Sequence, residues 1–260
     1  SMLLLLLAVG CASTPSPAGE QAWEGVRLSA DEQQTDPLPS ARSMIDLRET
    51  PGSLDHAIAL LNWHVEKHPE SAELHQLLAE AHSRSCEALD LQKREDQAPH
   101  QAHRTEGLKH AHEALKLSPD SGPAHYWLAT NLLHAADAER SLGRAKEALA
   151  ELDRADKLSP DVDEGGPSRM RGKVLADMPG LFGGSIPKAI ASYKRSVEIS
   201  PETPTTHLWL AQAYLDAKEP DLARKELEKV VSIKPRPHRE KEDGADRQKA
   251  QELLKKLGAK

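Results

Sequence analysis

Aromatic side chains are nearly missing from this 260-residue chain: Phe, Trp and Tyr together make up 3%, with a single Phe. β-Sandwiches and barrels lean on aromatic and β-branched residues, so this scarcity argues against them and suits helices packed through Ala and Leu. Cysteine is scarce too. The two present, Cys11 and Cys86, stand in different contexts, and a structural disulfide is not expected. Cys86 falls in a helical pattern, where a free Cys is ordinarily a small buried thiol. Nor is there an excess of positive charge. The net charge of −7 favours solubility and leaves no broad basic footprint for nucleic acid.

Catalytic patterns are also missing. No Gly-x-Ser-x-Gly elbow occurs, and carboxylates are scattered along helix surfaces. The main glycine cluster, Pro179-Gly180-Leu181-Phe182-Gly183-Gly184-Ser185, lacks the Lys of a phosphate-binding loop and follows no strand. It reads as a connection between two helices, with Phe182 the residue it could offer to a ligand. Thirteen histidines invite a metal. His64 and His68 are four apart, but His68 adjoins the helix-ending Pro69. His100 and His103 lie in a long insertion, and His110 and His112 point to different faces. With no Cys or carboxylate at a ligand-like spacing, they read as solvated or groove histidines. No catalytic residue, metal or cofactor is assigned, and an enzyme would need a clustered site that is not visible.

What is present begins with an address. Residues 3–9 form an apolar run too short to span a bilayer. It resembles the apolar region of a signal peptide. The tetrapeptide Ala8-Val9-Gly10-Cys11 resembles a bacterial lipobox, in which Cys11 becomes the lipid-modified first residue. No Lys or Arg precedes the run, a departure from such signals. Residues 1–10 are accordingly read as signal, and residues 11–43, rich in Pro and polar residues, as a flexible tether. Some 30 residues of this kind give a root-mean-square reach of about 30 Å, so the domain would float near its membrane. Ala12, not Asp, follows the Cys. By resemblance to Gram-negative sorting signals, that favours the periplasmic face of the outer membrane.

The strongest pattern is a repeat. Prolines 69, 119, 160, 201 and 235 each close an apolar-periodic segment, at spacings of 50, 41, 41 and 34 residues. The last spacing is the tetratricopeptide period. Twelve residues before these prolines stand Ala57, Gly107, Ala148, Ala189 and Ala223; eight before stand Leu61, Ala111, Leu152, Tyr193 and Leu227. Counting forward, Ala79, Ala129 and Ala211 fall ten residues after Pro69, Pro119 and Pro201, and Gly172 falls twelve after Pro160. Small residues at both places let the two helices of a hairpin approach closely. Proline removes an N–H and forces the preceding residue out of helical geometry, so each helix must end there. The expected fold is therefore all-α: a tetratricopeptide-like helical-hairpin solenoid over residues 44–235. A linker and capping helix over 236–260 complete it. Within these, 44–49 is a possible short first helix, 235–243 an exposed linker and 245–257 the cap. The extra length of the longer repeats is placed mostly between the helices of a hairpin.

In such a stack the first helix of each hairpin lines the concave face. Residues flanking the small position should face it: Gln76 and Glu80, Tyr126 and Thr130, Arg169 and Lys173, Leu208 and Gln212. An Arg beside a Tyr makes an anchor for an anionic or amphipathic guest. Trp63, Trp127 and Trp209 suit either inter-helix packing or a ligand cage, packing being the simpler use.

Several stretches resemble the TatT family, the periplasmic lipoprotein component associated with some tripartite ATP-independent periplasmic (TRAP) transporters. They are Ala124-His125-Tyr126-Trp127 with Asn131; Gly165-Gly166-Pro167 with Arg169 and Gly172; Pro179-Gly180 with the glycine loop; Ala189 and Ser200-Pro201; and His207-Leu208-Trp209-Leu210-Ala211. The resemblance covers about residues 54–235. It implies an α-helical lipoprotein with a central ligand-binding cleft or pore, a substrate-binding protein as partner and, in some members, trimers. It also implies Tyr126, Asn131, Arg169 and His207 as cleft lining. Ser168 and Arg171 depart from the family's pattern, which has a large residue and a Leu there. The functional expectation is a non-catalytic, lipid-anchored binding module. Its groove, including Trp127, Thr130, Lys173 and Phe182, takes a small organic ligand or a solute-binding protein. The alternative is a scaffold for protein assembly in the cell envelope.

Overall fold

The computed structural model describes residues 21–92 and 97–258. The signal-like run and Cys11 lie outside them. Eleven α-helices and two short 3-10 turns make up the described residues, with no strand among them. The helices pair as antiparallel hairpins: α1 (Pro37–Asp46) with α2 (Ser53–Val65), and α3 (Ala72–Leu91) with α4 (Gln97–Leu117). Next come α5 (Gly122–Glu139) with α6 (Leu142–Leu158), and α7 (Gly166–Asp177) with α8 (Ile186–Ile199). Last are α9 (Pro204–Asp216) with α10 (Pro220–Ser232), and α11 (Glu240–Gly258) packs on α9 and α10 as the cap.

Local chemistry sets the boundaries. Ser71, Ser121, Ser141 and Ser185 each accept a backbone N–H of the first turn of α3, α5, α6 and α8, satisfying a donor the helix leaves free. Before Pro160 and Pro201 the chain turns extended, at Ser159 (φ −151°) and Ser200 (φ −138°), and the helix stops. The small positions then do what the repeat register demands. Ala57, Ala79, Ala129, Ala148, Ala189, Ala211 and Ala223 are all fully buried. Leu61, Ala111, Leu152, Tyr193 and Leu227, one turn along, are buried with them. Three contiguous apolar clusters result, one around α1–α3, one around α5–α7 and one around α8–α11.

Four expectations need correction. The body begins well before residue 44. Trp23, in the 3-10 turn Ala22–Gly25, is buried against His82 and His103, with ring centroids 5.1 and 4.6 Å apart. The first helix covers Pro37–Asp46, not 44–49. Pro37 and Pro39 suggested a linker, but proline is at home in the first turn of a helix, and Asp36 caps it by accepting the Leu38 N–H at 3.1 Å. The linker expected over 235–243 is shorter: 235–239 connect the helices with Pro235, Pro237 and His238 exposed, but α11 opens at Glu240 and Asp243 is buried. The long second repeat extends its helices, 20 residues in α3 and 21 in α4, instead of inserting only a loop.

Most histidines of α3 and α4 are interior side chains: His75, His82, His100, His103 and His110 are buried, with His103 at the cleft wall, while His112 is exposed as expected. His75 Nδ1 meets His110 Nδ1 at 2.8 Å, and His82 Nδ1 meets His103 Nδ1 at 3.0 Å. Burial first, then repulsion from a neighbouring imidazole, drives His103 down to about 4 and His110 to about 3; burial lowers His82 and His134 too. Among the described residues no group of three His, Cys, Asp or Glu is placed to hold a metal ion.

Two predictions follow from this packing. A Cβ added to Gly172 would sit 2.6 Å from the ring of the buried Tyr193. Gly172→Ala gains about 1 kcal/mol of helix propensity, yet overpacking costs about 1–3 kcal/mol. A net loss is expected in urea denaturation, and a gain would contradict the close approach of α7 and α8. The second concerns acid. The lowered histidines bind fewer protons folded than unfolded, so stability is lost as pH falls below their unfolded value of 6.5. Opposing this, burial raises Glu80 to about 7 and Asp246 to about 6, and such groups gain stability over the same descent. Burial raises Asp55 as well, so four lowered histidines stand against three raised acids and outnumber them. Urea midpoints at pH 7 and pH 5 should show a net loss on the order of 1–4 kcal/mol at the lower pH.

Candidate functional site

The concave face is lined by α3, α5, α7 and α9, and the stack closes on itself around it. The closure lies between the end of α1 and the start of α11. The Glu49 carboxylate accepts the backbone N–H of Lys241 at 2.9 Å and of Glu242 at 2.8 Å, capping the N-terminus of α11. Arg48 pairs with Glu242 at 3.0 Å, and Lys241 Nζ reaches the Glu49 carbonyl at 3.1 Å. Residues 192–194 positions apart are thus joined. Inside lies a cleft of about 1770 Å³.

At the heart of its wall is one buried carboxylate. Asp163, with a side chain 3% exposed, accepts from Tyr126 Oη at 2.6 Å and Arg169 Nη2 at 2.6 Å, and pairs closely with Arg84. Burial alone would push its pKa up; Arg84, Arg169 and the Tyr126 hydroxyl outweigh burial and hold it well below the usual carboxylate range. The Arg84 guanidinium lies 4.9 Å over the Trp127 ring. Asp163, Glu164 and Gly165 take consecutive left-handed conformations (φ 50°, 57° and 76°), which drive this loop inward. Its next residue continues the network. Glu164 pairs with Arg236 and with Arg239 at 3.2 Å, and Arg236 is held by the buried Asp243 at 2.6 Å. One loop therefore ties α3, α5, α7 and the capping segment together.

The residues expected to line the groove divide. Tyr126, Thr130, Arg169 and Lys173 line the cleft, and so does Trp209, for which packing was the simpler use. Gln76, Glu80, Leu208 and Gln212 are not among its lining residues; on α9 the lining positions are Thr205 and Trp209. Arg169 is not available to a guest as first read: Asp163 and the carbonyls of Asp163 and Glu164 take up its guanidinium, at 2.6, 3.0 and 3.1 Å. Lys173 pairs with Asp177. Asn131 is buried away from the cleft, donating to the carbonyls of Ala79 (3.0 Å) and Trp127 (2.8 Å) and filling the space beside Gly107. Trp127 packs in the core beneath Arg84, and Phe182 is exposed on the loop after α7.

His207 belongs to a device that spacing did not reveal. Its Nε2 donates to the Pro201 carbonyl at 2.9 Å while Nδ1 meets Glu226 at 2.6 Å. His125 does the same with Pro119 (2.9 Å) and Glu151 (2.5 Å), and His75 with Pro69 (3.0 Å) and His110. Each stands four residues after its helix N-cap and bonds the carbonyl six residues back. Arg169 stands at the same place in α7, bonding the Asp163 carbonyl six residues back. The cleft arginine is thus the fourth hairpin's version of the latch, enlarged to take a carboxylate as well. The signal was present as a histidine six residues after three of the prolines.

Stacked helix pairs in this register, latched and closed around a cleft, define a tetratricopeptide-repeat solenoid. The family model of the TRAP transporter T-component (TAtT) matches residues 65–258, well over half of the chain, and the protein belongs to that family. Two solved structures share the fold. TTC0263, a tetratricopeptide protein of Thermus thermophilus, is 22% identical, with 86% of this chain and 98% of that one covered at a TM-score of 0.61. PilF of Pseudomonas aeruginosa is 16% identical, covering 85% and 93% at a TM-score of 0.54. No curated protein matches the chain.

Arg169→His restores the residue of the other three repeats yet removes one of the two cations on Asp163. It is expected to cost about 3–5 kcal/mol, the penalty for leaving a buried charge short of a partner. Urea denaturation measures this; an unchanged midpoint would show that Asp163 does not depend on it.

Proposed function

We propose that this protein is a non-catalytic, lipid-anchored periplasmic binding module. Its cleft takes a small amphipathic organic anion in partnership with the solute-binding protein of a TRAP-type transporter. Family membership supports the transporter context, and the cleft carries the ligand reading. Its walls are unlike. One side is apolar, with Leu133, Met170, Val174 and Met178; the other carries Arg48, Arg239 and Lys241. Arg239 is the cation suited to a guest. Glu164 engages its Nη1 at 3.2 Å, and burial, with Arg48 and Arg236 nearby, lowers its pKa. An acidic head at Arg239 and an apolar body along Met170 and Met178 would satisfy both walls. Tyr126, Thr130 and Lys173 complete the proposed lining. Cys11 is the proposed lipid attachment on the periplasmic face of the outer membrane, and a homo-oligomer is compatible with this reading. Among the described residues no helix is long and apolar enough to cross a membrane.

The test is a panel of mono- and dicarboxylates of increasing chain length in thermal-shift assays of the wild type and Arg239→Gln. At least one acid should raise the wild-type melting temperature, and the shift should shrink in the variant. If no acid shifts the wild type and a pull-down recovers no solute-binding protein, the reading fails in favour of an assembly scaffold.

A further inference from the structure

Exposed large apolar residues are unevenly placed. Leu91 ends α3, Leu142 opens α6, Leu181 and Phe182 sit in the α7–α8 connection, and Leu222 lies in the first turn of α10. All five are at the turns from the first to the second helix of a hairpin, and those turns share one edge of the solenoid. Leu181 is 90% exposed. Only Leu117 and Leu158 among the described exposed large apolar residues lie elsewhere, at second-helix ends. Such a row on a described surface marks an interaction edge.

The path of the chain says what covers it. Gln21 and Trp23 line the same cleft as Leu91, Gln92 and Pro99, and Trp23 packs on His103 in the second turn of α4. The described body therefore begins beside this edge. Nine residues separate Cys11 from Gln21, a span of at most about 35 Å even fully extended. The body itself has an expected radius of gyration of about 18 Å. An acyl group on Cys11 thus keeps the Gln21 side of the body toward the bilayer; the 30-residue tether that would let it float is not there, because residues from 21 onward belong to the fold.

We infer that the edge formed by Leu91, Leu142, Leu181, Phe182 and Leu222 docks on the lipid bilayer, with Leu181 and Phe182 entering its interface. This rests on the lipid-anchor reading of Cys11. The chain's net charge of −7 makes apolar insertion, not electrostatic attraction, the source of the contact, so it is insensitive to salt. Leu91, Leu142 and Pro179 also line the cleft, so the cleft opens on the docked edge.

The experiment places Phe182→Trp in the full acylated protein, bound to phosphatidylethanolamine–phosphatidylglycerol vesicles with brominated acyl chains. The parent protein's own tryptophans supply the baseline. Phe182 is exposed, and circular dichroism checks that the variant folds. The added fluorescence should shift to the blue and be quenched by the bromines, equally at low and high salt. Leu181→Asp in the same background should abolish the quenching while flotation through the anchor persists. Protein that is acylated and floats with vesicles but shows no quenching overturns the docking and leaves the anchor standing. Mass spectrometry finding Cys11 unmodified overturns both. A blue shift that grows with protein concentration in the absence of lipid makes the edge a contact between copies and overturns the bilayer as its occupant.

Discussion

A single carboxylate out of water governs this structure. An ionised Asp moved into a protein interior is tolerable only when cations and donors are brought to it, and Asp163 draws them from three helices: Arg84 from α3, Tyr126 from α5 and Arg169 from α7. Each belongs to a different hairpin, so the angle between successive repeats is fixed by where those groups must meet. Because the loop bearing Asp163 runs left-handed for three residues, Glu164 is delivered in the same stroke to Arg236 and Arg239, next to the capping helix. The Glu49 cap on α11 then closes the circuit. An open solenoid becomes a body with an interior cleft, and the ligand proposal depends on that change.

Much of the fold was legible because it is periodic. Terminating prolines have a local cause, and small residues counted from them fall at full burial: Ala79, Ala129 and Ala211 on one side, Ala57, Ala148 and Ala189 on the other. Closure was not legible, since it pairs residues nearly two hundred positions apart through accumulated superhelical rotation, which no spacing encodes. Residues 21–43 were misread for a different reason. Pro37 and Pro39 signal a linker and a helix start equally well, and a lone Trp23 in polar sequence gives no period from which to infer burial. The site was half visible. Tyr126 and Arg169 do line the cleft, but counting faces could not show that Arg169 is already engaged by Asp163. It could not show either that Asn131 and His207 serve helix packing and hairpin latching. Histidines were weighed as metal ligands, which hid their common place six residues after a proline.

The division of labour in the cleft follows from this. The most buried arginines, Arg84 and Arg169, are structural because a protein carboxylate already neutralises them. Arg239, on the capping segment, keeps donors beyond its contact with Glu164. On the proposed ligand reading, the element that closes the ring would also hold the guest's acidic head, coupling occupancy of the cleft to the junction between α1 and α11.

The account stands on Asp163 acting as a shared hub, and a double-mutant cycle tests it most directly. Stability would be measured by urea denaturation for the wild type, Arg84→Met, Asp163→Asn and the double variant. The hub predicts a coupling of about 2–3 kcal/mol, the double variant losing far less than the two single losses summed. Losses that simply add would contradict it, showing that the two side chains are neighbours without mutual dependence.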